Sequence, residues 1–92
     1  MKSSLKVPPE LAKFLKELPP PIKRKIRGGL DAILEDPHAG KPLRAELAGL
    51  WSLPVGRFRI IYRVQETWID IVAVGPRSRI YQQVTLSLAA AR

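Results

Sequence analysis

Arg57, Arg59 and Arg63 alternate along one apolar segment, Val55-Gly56-Arg57-Phe58-Arg59-Ile60-Ile61-Tyr62-Arg63-Val64. Successive side chains of an extended strand point to opposite faces. Arg57, Arg59, Ile61 and Arg63 therefore share one face, and Phe58, Ile60, Tyr62 and Val64 share the other. The second set reads as a core face and the first as a cationic ridge around one aliphatic residue. A guanidinium group keeps its charge and presents a planar fork that matches phosphate oxygens. Three of them on one short strand are costly unless solvent or anions meet them, so a polyanion is the partner this ridge fits. Arg77, Arg79 and Tyr81 form a second polar group farther along.

The rest of the composition agrees. Sixteen basic residues against eight acidic ones give 92 residues a net charge of +8. A field of that sign attracts nucleic acid, acidic protein segments or anionic lipid. Cysteine is absent, which excludes disulfides and thiolate metal sites, and the lone His38 has no partner cluster that would ligate a metal. No apolar run approaches the roughly 20 residues that span a bilayer. The opening Met1-Lys2-Ser3-Ser4-Leu5-Lys6 runs into prolines instead of a hydrophobic signal core. These features lead us to expect a single cytoplasmic domain over residues 1–92 with no membrane contact.

The elements that must position the arginines follow from periodicity and proline. Ser3 to Val7 suits a short first strand, ended by Pro8 and Pro9. Leu11, Phe14, Leu15 and Leu18 repeat at i, i+3, i+4 and i+7, the stripe of an amphipathic helix. Pro19-Pro20-Pro21 breaks it. A second helix buries Ile22, Ile26, Leu30, Ile33 and Leu34 and carries Lys23, Arg24, Lys25 and Arg27 on its other side. Gly28 and Gly29 weaken it and invite a bend. It stops at Asp36, because the residue before Pro37 leaves the helical region. A loop from His38 to about Gly49 leads to a strand with Trp51, Leu53 and Val55 on its core face. The arginine strand comes next, then an apolar strand from Thr67 to Val74. Gly75-Pro76 reads as a turn. Ile80, Val84 and Leu88, spaced by four, suggest a short C-terminal helix within Ile80 to Ala91. The predicted architecture is α+β, ordered β-α-α-β-β-β. A helical hairpin covers one face of a small, mostly antiparallel sheet, and the arginine ridge lies on an exposed second face.

Four motifs in order carry a family resemblance. They are Gly40-Lys41-Pro42-Leu43, Leu47-Ala48-Gly49-Leu50-Trp51, Val55-Gly56-Arg57-Phe58-Arg59-Ile60-Ile61-Tyr62, and Val74-Gly75-Pro76-Arg77-Ser78-Arg79-Ile80-Tyr81. Together with the element order they resemble the RelE/ParE superfamily of toxins from type II toxin–antitoxin modules, over essentially the whole chain. The resemblance implies a RelE-like fold and a ribosome-dependent, cofactor-free endoribonuclease that cuts messenger RNA in the A site. It also implies an alternative, a ParE-like poison of DNA gyrase with no nuclease activity. On the first reading Arg59, Arg77 and Tyr81 are the catalytic positions.

Metal-free RNA cleavage needs a base for the 2′-OH proton, cations for the anionic phosphorane and an acid for the leaving 5′ oxygen. Arg59 is the first candidate for the cation and Arg77 the second. Tyr81 is a candidate acid or base, and equally a stacking surface for a nucleobase. Arg57, Arg63, Arg79, Ser52, Lys23 and Arg27 are the candidate RNA-binding residues. One departure stands out: Ser52 and Pro54 occupy two strand positions where active RelE-like toxins usually carry lysine or arginine. This leaves open a third reading, a catalytically weakened binder. All three imply a cognate acidic antitoxin, built from an amphipathic helix and an extended segment that folds on binding. The first adds the ribosome and mRNA as partners.

Overall fold

Prolines set the boundaries of the helical half. The computed structural model describes residues 4–90, beginning with strand β1 (Ser4–Lys6) and helix α1 (Pro9–Lys16). Helix α2 (Pro20–Glu35) follows. Pro8 and Pro19 cap the two helices with near-identical extended dihedrals, φ −56, ψ 145 and φ −55, ψ 143, and each is followed by a proline inside the first turn. The missing N–H has no intrahelical partner there in any case. Asp36 turns extended ahead of Pro37 and ends α2 where expected. The helix runs unbroken through Gly28 and Gly29. The two glycines differ: a Cβ at Gly28 would meet nothing within 4 Å, whereas one at Gly29 would lie 2.6 Å from Val55 Cγ2 and 2.9 Å from Ile60 Cδ1. Gly29 thus lets α2 sit directly on the sheet.

The remaining strands are β2 (Lys41–Pro42), β3 (Trp51–Val55), β4 (Phe58–Val64) and β5 (Trp68–Pro76), and helix α3 (Arg77–Ala90) completes the described chain. The sheet order is β1-β5-β4-β3-β2. β1 pairs parallel with β5, and all other pairs are antiparallel. β2 lies in the segment expected to be a loop. Two residues are too few for alternation to show, and a short 3₁₀ turn at Ala45–Leu47 lies in the remainder. Ser3 and Ala91, assigned from sequence to the first strand and last helix, lie outside the described residues.

The sheet is covered on both faces. On one, Ile26 and Ile33 of α2 meet Ile60, Tyr62, Ile69, Ile71 and Val74, with Leu11 and Leu15 of α1 packed alongside. On the other, Ile61 is buried with Leu47, Leu50, Ile80 and Val84. The exposed arginine face is therefore corrected. Ile61 has no exposure, Arg59 is half-buried, and only Arg57 and Arg63 are open. The cause is α3. It begins at Arg77, directly after β5, not at Ile80 after a turn. Its 14 residues reach about 21 Å, and Ile80, Val84 and Leu88 lie on the sheet. Gly75-Pro76 is the end of β5 instead of a turn, and the Arg77 N–H donates to the Arg57 carbonyl at 2.9 Å. A bulge adjusts β5 to its two faces. Ile61 pairs with Ala73 but Tyr62 pairs with Ile71, leaving Val72 as the extra residue.

Candidate functional site

The β3–β4 hairpin turns at Gly56, whose φ of +60 is ordinary for glycine. Arg57 belongs to this turn and not to the strand. Its carbonyl holds the first N–H of α3, so the turn and the helix start are docked together. That docking brings two distant sequence segments onto one cleft. Arg57 and Arg59 come from the hairpin and Arg77 and Ser78 from α3, lining a depression of about 580 Å³ with Gly56 and Pro76. Arg59 stands between Pro54 of β3 and Gly75 of β5 in the strand register. Neither neighbour offers a charged or hydrogen-bonding side chain.

Arg59 Nε is buried and has no hydrogen-bond partner among the described residues. A desolvated, unpaired donor on a charged group is unfavourable by itself. An anionic oxygen entering the cleft would supply the acceptor, in a charge-assisted bond that arginine makes well. Three guanidinium groups line this cleft, a composition that suits an anion.

Tyr81 lies one helical turn beyond Arg77, on the same side of α3. Its hydroxyl is 2.9 Å from Ser52 Oγ. Ser52 is only 4% exposed and sits on β3 opposite Ile61. Each hydroxyl satisfies the other, so Ser52 holds the Tyr81 ring against the sheet one pleat from Arg59. The Thr85 hydroxyl donates to the Tyr81 carbonyl at 2.9 Å, anchoring the same turn of α3. Sequence reading singled out both Ser52 and Tyr81. It missed their pairing, which joins a strand and a helix 29 residues apart. It also missed Ser78 at the cleft, whose signal was its place beside Arg77.

The other candidates lie elsewhere. Arg63 is four residues beyond Arg59, about 13 Å along the strand. It faces Asp70 across the ladder and shares a separate cleft with Lys6. Arg79 of α3 borders a different cleft, which Phe14 and Glu10 of α1 also line. Lys23 and Arg27 rim an apolar groove between α1 and α2, over the opposite face of the sheet. Trp51 packs on the first core, as its alternation implied, and stacks on Tyr62 at 6.4 Å. Tyr62 has a role its apolar setting concealed. Its hydroxyl donates to the Pro37 carbonyl at 2.8 Å and accepts from the Gly40 N–H at 3.1 Å. Burial pushes its pKa above the ordinary 10.0; the Gly40 N–H opposes this and the Asp36 carboxylate adds to it. Among the described residues no group of three or more His, Cys, Asp or Glu could hold a metal, and no helix is long and apolar enough to cross a membrane.

Similarity to known proteins falls on this arrangement as a whole. Residues 5–81 match the family described as ParE toxin of type II toxin–antitoxin system, parDE. Toxin RelG of Mycobacterium tuberculosis is 40% identical over 55 residues, which cover 58% of this chain and 63% of RelG, just under two thirds of that relative's length. In the toxin–antitoxin complex RelBE2 of Mycobacterium tuberculosis, one chain is matched over its whole length and 84% of ours, with 30% identity and a TM-score of 0.72. The archaeal RelE–RelB complex of Pyrococcus horikoshii gives 25% identity and a TM-score of 0.68 over 86% of this chain and 99% of that one. A mutant of the E. coli toxin RelE in the free state shares the fold, with a TM-score of 0.72 at 18% identity over 95% and 97% of the two chains. The match over residues 5–81 includes both arms of the arginine cleft, and the chain belongs to the ParE toxin family of type II toxin–antitoxin systems.

Proposed function

We propose that this toxin is a metal-independent endoribonuclease that cuts messenger RNA in the ribosomal A site, acts in the cytoplasm and is neutralised by an acidic antitoxin. The observation that carries the proposal is the cleft lined by Arg57, Arg59 and Arg77, with the buried, unpartnered Arg59 Nε and, one pleat along the sheet, the Tyr81–Ser52 hydroxyl pair. The likeness to toxins solved in RelBE and RelE–RelB complexes supports the antitoxin partner.

The chemistry assigns one task to each group. The scissile phosphate enters the cleft and accepts from Arg59 and Arg77. Tyr81 exchanges its contact with Ser52 for the substrate and serves the proton transfers. The 2′-OH gives up its proton and its oxygen attacks phosphorus. The bond to the 5′ oxygen breaks, and that oxygen takes a proton. The products are a 2′,3′-cyclic phosphate and a 5′-OH, with no metal and no water consumed. Arg59 and Arg77 meet charge that grows on the phosphorane, where preorganised donors contribute most. The ribosome supplies RNA alignment, a proximity effect that suits a site short of strong acids and bases.

One observation favours a second reading. On the sheet face that Arg59 shares, β3 has Ser52 and Pro54 and no cation, and the Tyr81 hydroxyl is already paired. A toxin of this fold that binds and poisons DNA gyrase needs neither a strand cation nor a free hydroxyl. Induced expression without antitoxin separates the two, with RNA 5′ ends mapped on translated and untranslated copies of one transcript. New ends confined to the translated copy are the expected result. Growth arrest with intact mRNA would transfer the function to gyrase.

A further inference from the structure

The hairpin turn and the start of α3 hold like charges together. The Arg77 N–H donates to the Arg57 carbonyl at 2.9 Å, so two exposed arginines from distant segments are fixed side by side through their backbones. Arg59 completes the set with its buried, unpartnered Nε. All three line one depression of about 580 Å³, and none of its six lining residues is acidic. Like charges held this close repel, and the repulsion grows where burial lowers the local dielectric. The other end of the same strand is built differently. There Arg63 faces Asp70 across the ladder, and Lys6 sits over the Trp68 ring at 4.2 Å.

Charge density then selects among anions. A phosphodiester brings one negative charge, and a sugar separates each phosphodiester of a nucleic acid from the next. Phosphates joined as anhydrides share an oxygen, so a short chain of them concentrates several charges in a small volume. Three guanidinium forks in one cleft match that concentration better than a single diester does. The volume lies within the roughly 300–1,000 Å³ of small-molecule sites. Ser78, in the first turn of α3, adds a hydroxyl donor, and the positive end of the helix favours the same sign of ligand.

We propose that the arginine cleft is a binding site for a polyphosphate chain, of the kind carried by nucleoside triphosphates and by free inorganic polyphosphate. Arg57 and Arg77 meet the chain from their exposed positions, and the half-buried Arg59 gains the acceptor its Nε lacks. Binding relieves the repulsion among the three cations and so stabilises the fold. On the nuclease reading the chain also occupies the groups that the scissile phosphate needs, so the toxin away from the ribosome is held idle. That consequence rests on the preceding reading, whereas the binding itself does not.

The test is calorimetric titration of the purified protein without RNA, at about 0.15 M salt, with tripolyphosphate, ATP, AMP and orthophosphate. Tripolyphosphate and ATP should bind about tenfold or more tightly than AMP or orthophosphate, and should raise the melting temperature. Equal affinity for the first two assigns recognition to the chain alone, and tighter ATP binding adds the nucleoside to it. Arg59→Ala should weaken ATP binding about tenfold or more. Arg77→Ala, at an exposed position, gives the same readout if Arg59→Ala does not fold. Arg63→Ala removes one charge outside the cleft and should leave the affinity within about twofold. Affinity that does not rise with the number of linked phosphates would overturn the proposal, as would no measurable binding. So would equal losses in Arg59→Ala and Arg63→Ala, because diffuse charge and not the cleft would then hold the ligand. With no RNA in the experiment, a negative result leaves the nuclease reading standing, and intact mRNA in cells leaves this site standing.

Discussion

The two faces of the sheet are built from the same strands and do different work. Under α1 and α2 the packing is aliphatic and aromatic throughout, with Ile33, Ile60 and Ile69 wholly buried. Its buried Tyr62 hydroxyl is partnered by Pro37 and Gly40. Under α3 the second core is smaller. Toward the Gly56 turn, apolar packing gives way to Ser52, Tyr81 and Arg59, of which Arg59 keeps an unpaired donor. One face has every group satisfied. The other carries a buried, unpartnered donor on Arg59. A small domain has little stability to spare, so on the proposed function this division separates residues that serve the fold from those that would serve the chemistry.

The largest effect that would sharpen the comparison is on the first face. Ile60→Ala should cost about 2–5 kcal/mol, read as a lower denaturation midpoint, without altering cleavage by the protein that remains folded. Arg59→Ala should do the reverse. Loss of a phosphorane donor should lower RNA cleavage by about a hundred- to a thousandfold. The unfolding free energy should hold or rise, because the variant removes a buried donor that had no acceptor. If Arg59→Ala destabilised the protein as Ile60→Ala does, the division of labour would be refuted. Tyr81→Phe is intermediate. It leaves Ser52 Oγ buried without its partner, at a cost of about 1–3 kcal/mol. Adding Ser52→Ala should recover part of that loss in a double-mutant cycle.

A pH titration probes the first face. The raised Tyr62 pKa means that the unfolded chain ionises first as pH climbs. The stabilisation is complete below about pH 10 and is lost as pH rises through the folded value. The melting temperature should therefore fall more steeply above pH 10 in the wild type than in Tyr62→Phe. Gly28→Ala gives the smallest effect, a gain of about 0.5–1 kcal/mol in unfolding free energy, because its Cβ enters open space within a helix. The same change at Gly29 should destabilise, since Val55 and Ile60 already occupy the space.

Much of this was legible in the residues, unevenly between the two faces. Proline pairs and four-residue spacing place α1 and α2 within a residue or two, and strict alternation identifies the apolar side of β4. The α3 face was harder for physical reasons. Gly75-Pro76 carries a turn signature, yet at the end of β5 a proline is tolerated and helix formation follows at once. The β5 bulge at Val72 disturbs alternation by one residue. Treating β4 as a ridge assumed that nothing covered Ile61, and no local signal in Ile80–Leu88 says which face a helix will cover. Arg59, Arg77 and Tyr81 were found through their resemblance to known motifs. That Arg63, Arg79, Lys23 and Arg27 lie apart from them is a matter of tertiary geometry that spacing does not encode.

The pairing of β1 with β5 also sets a schedule for synthesis. Ser4 to Lys6, near the start of the chain, lie beside Trp68 to Asp70. Arg77 and Tyr81 follow later still. A chain made at about 5–20 residues per second therefore passes through an interval with β4's arginines made and their helix absent. The cell gains an interval in which the nascent polypeptide is unarmed. In that interval a waiting neutraliser can engage segments already exposed, before the last turn of chain closes the cleft.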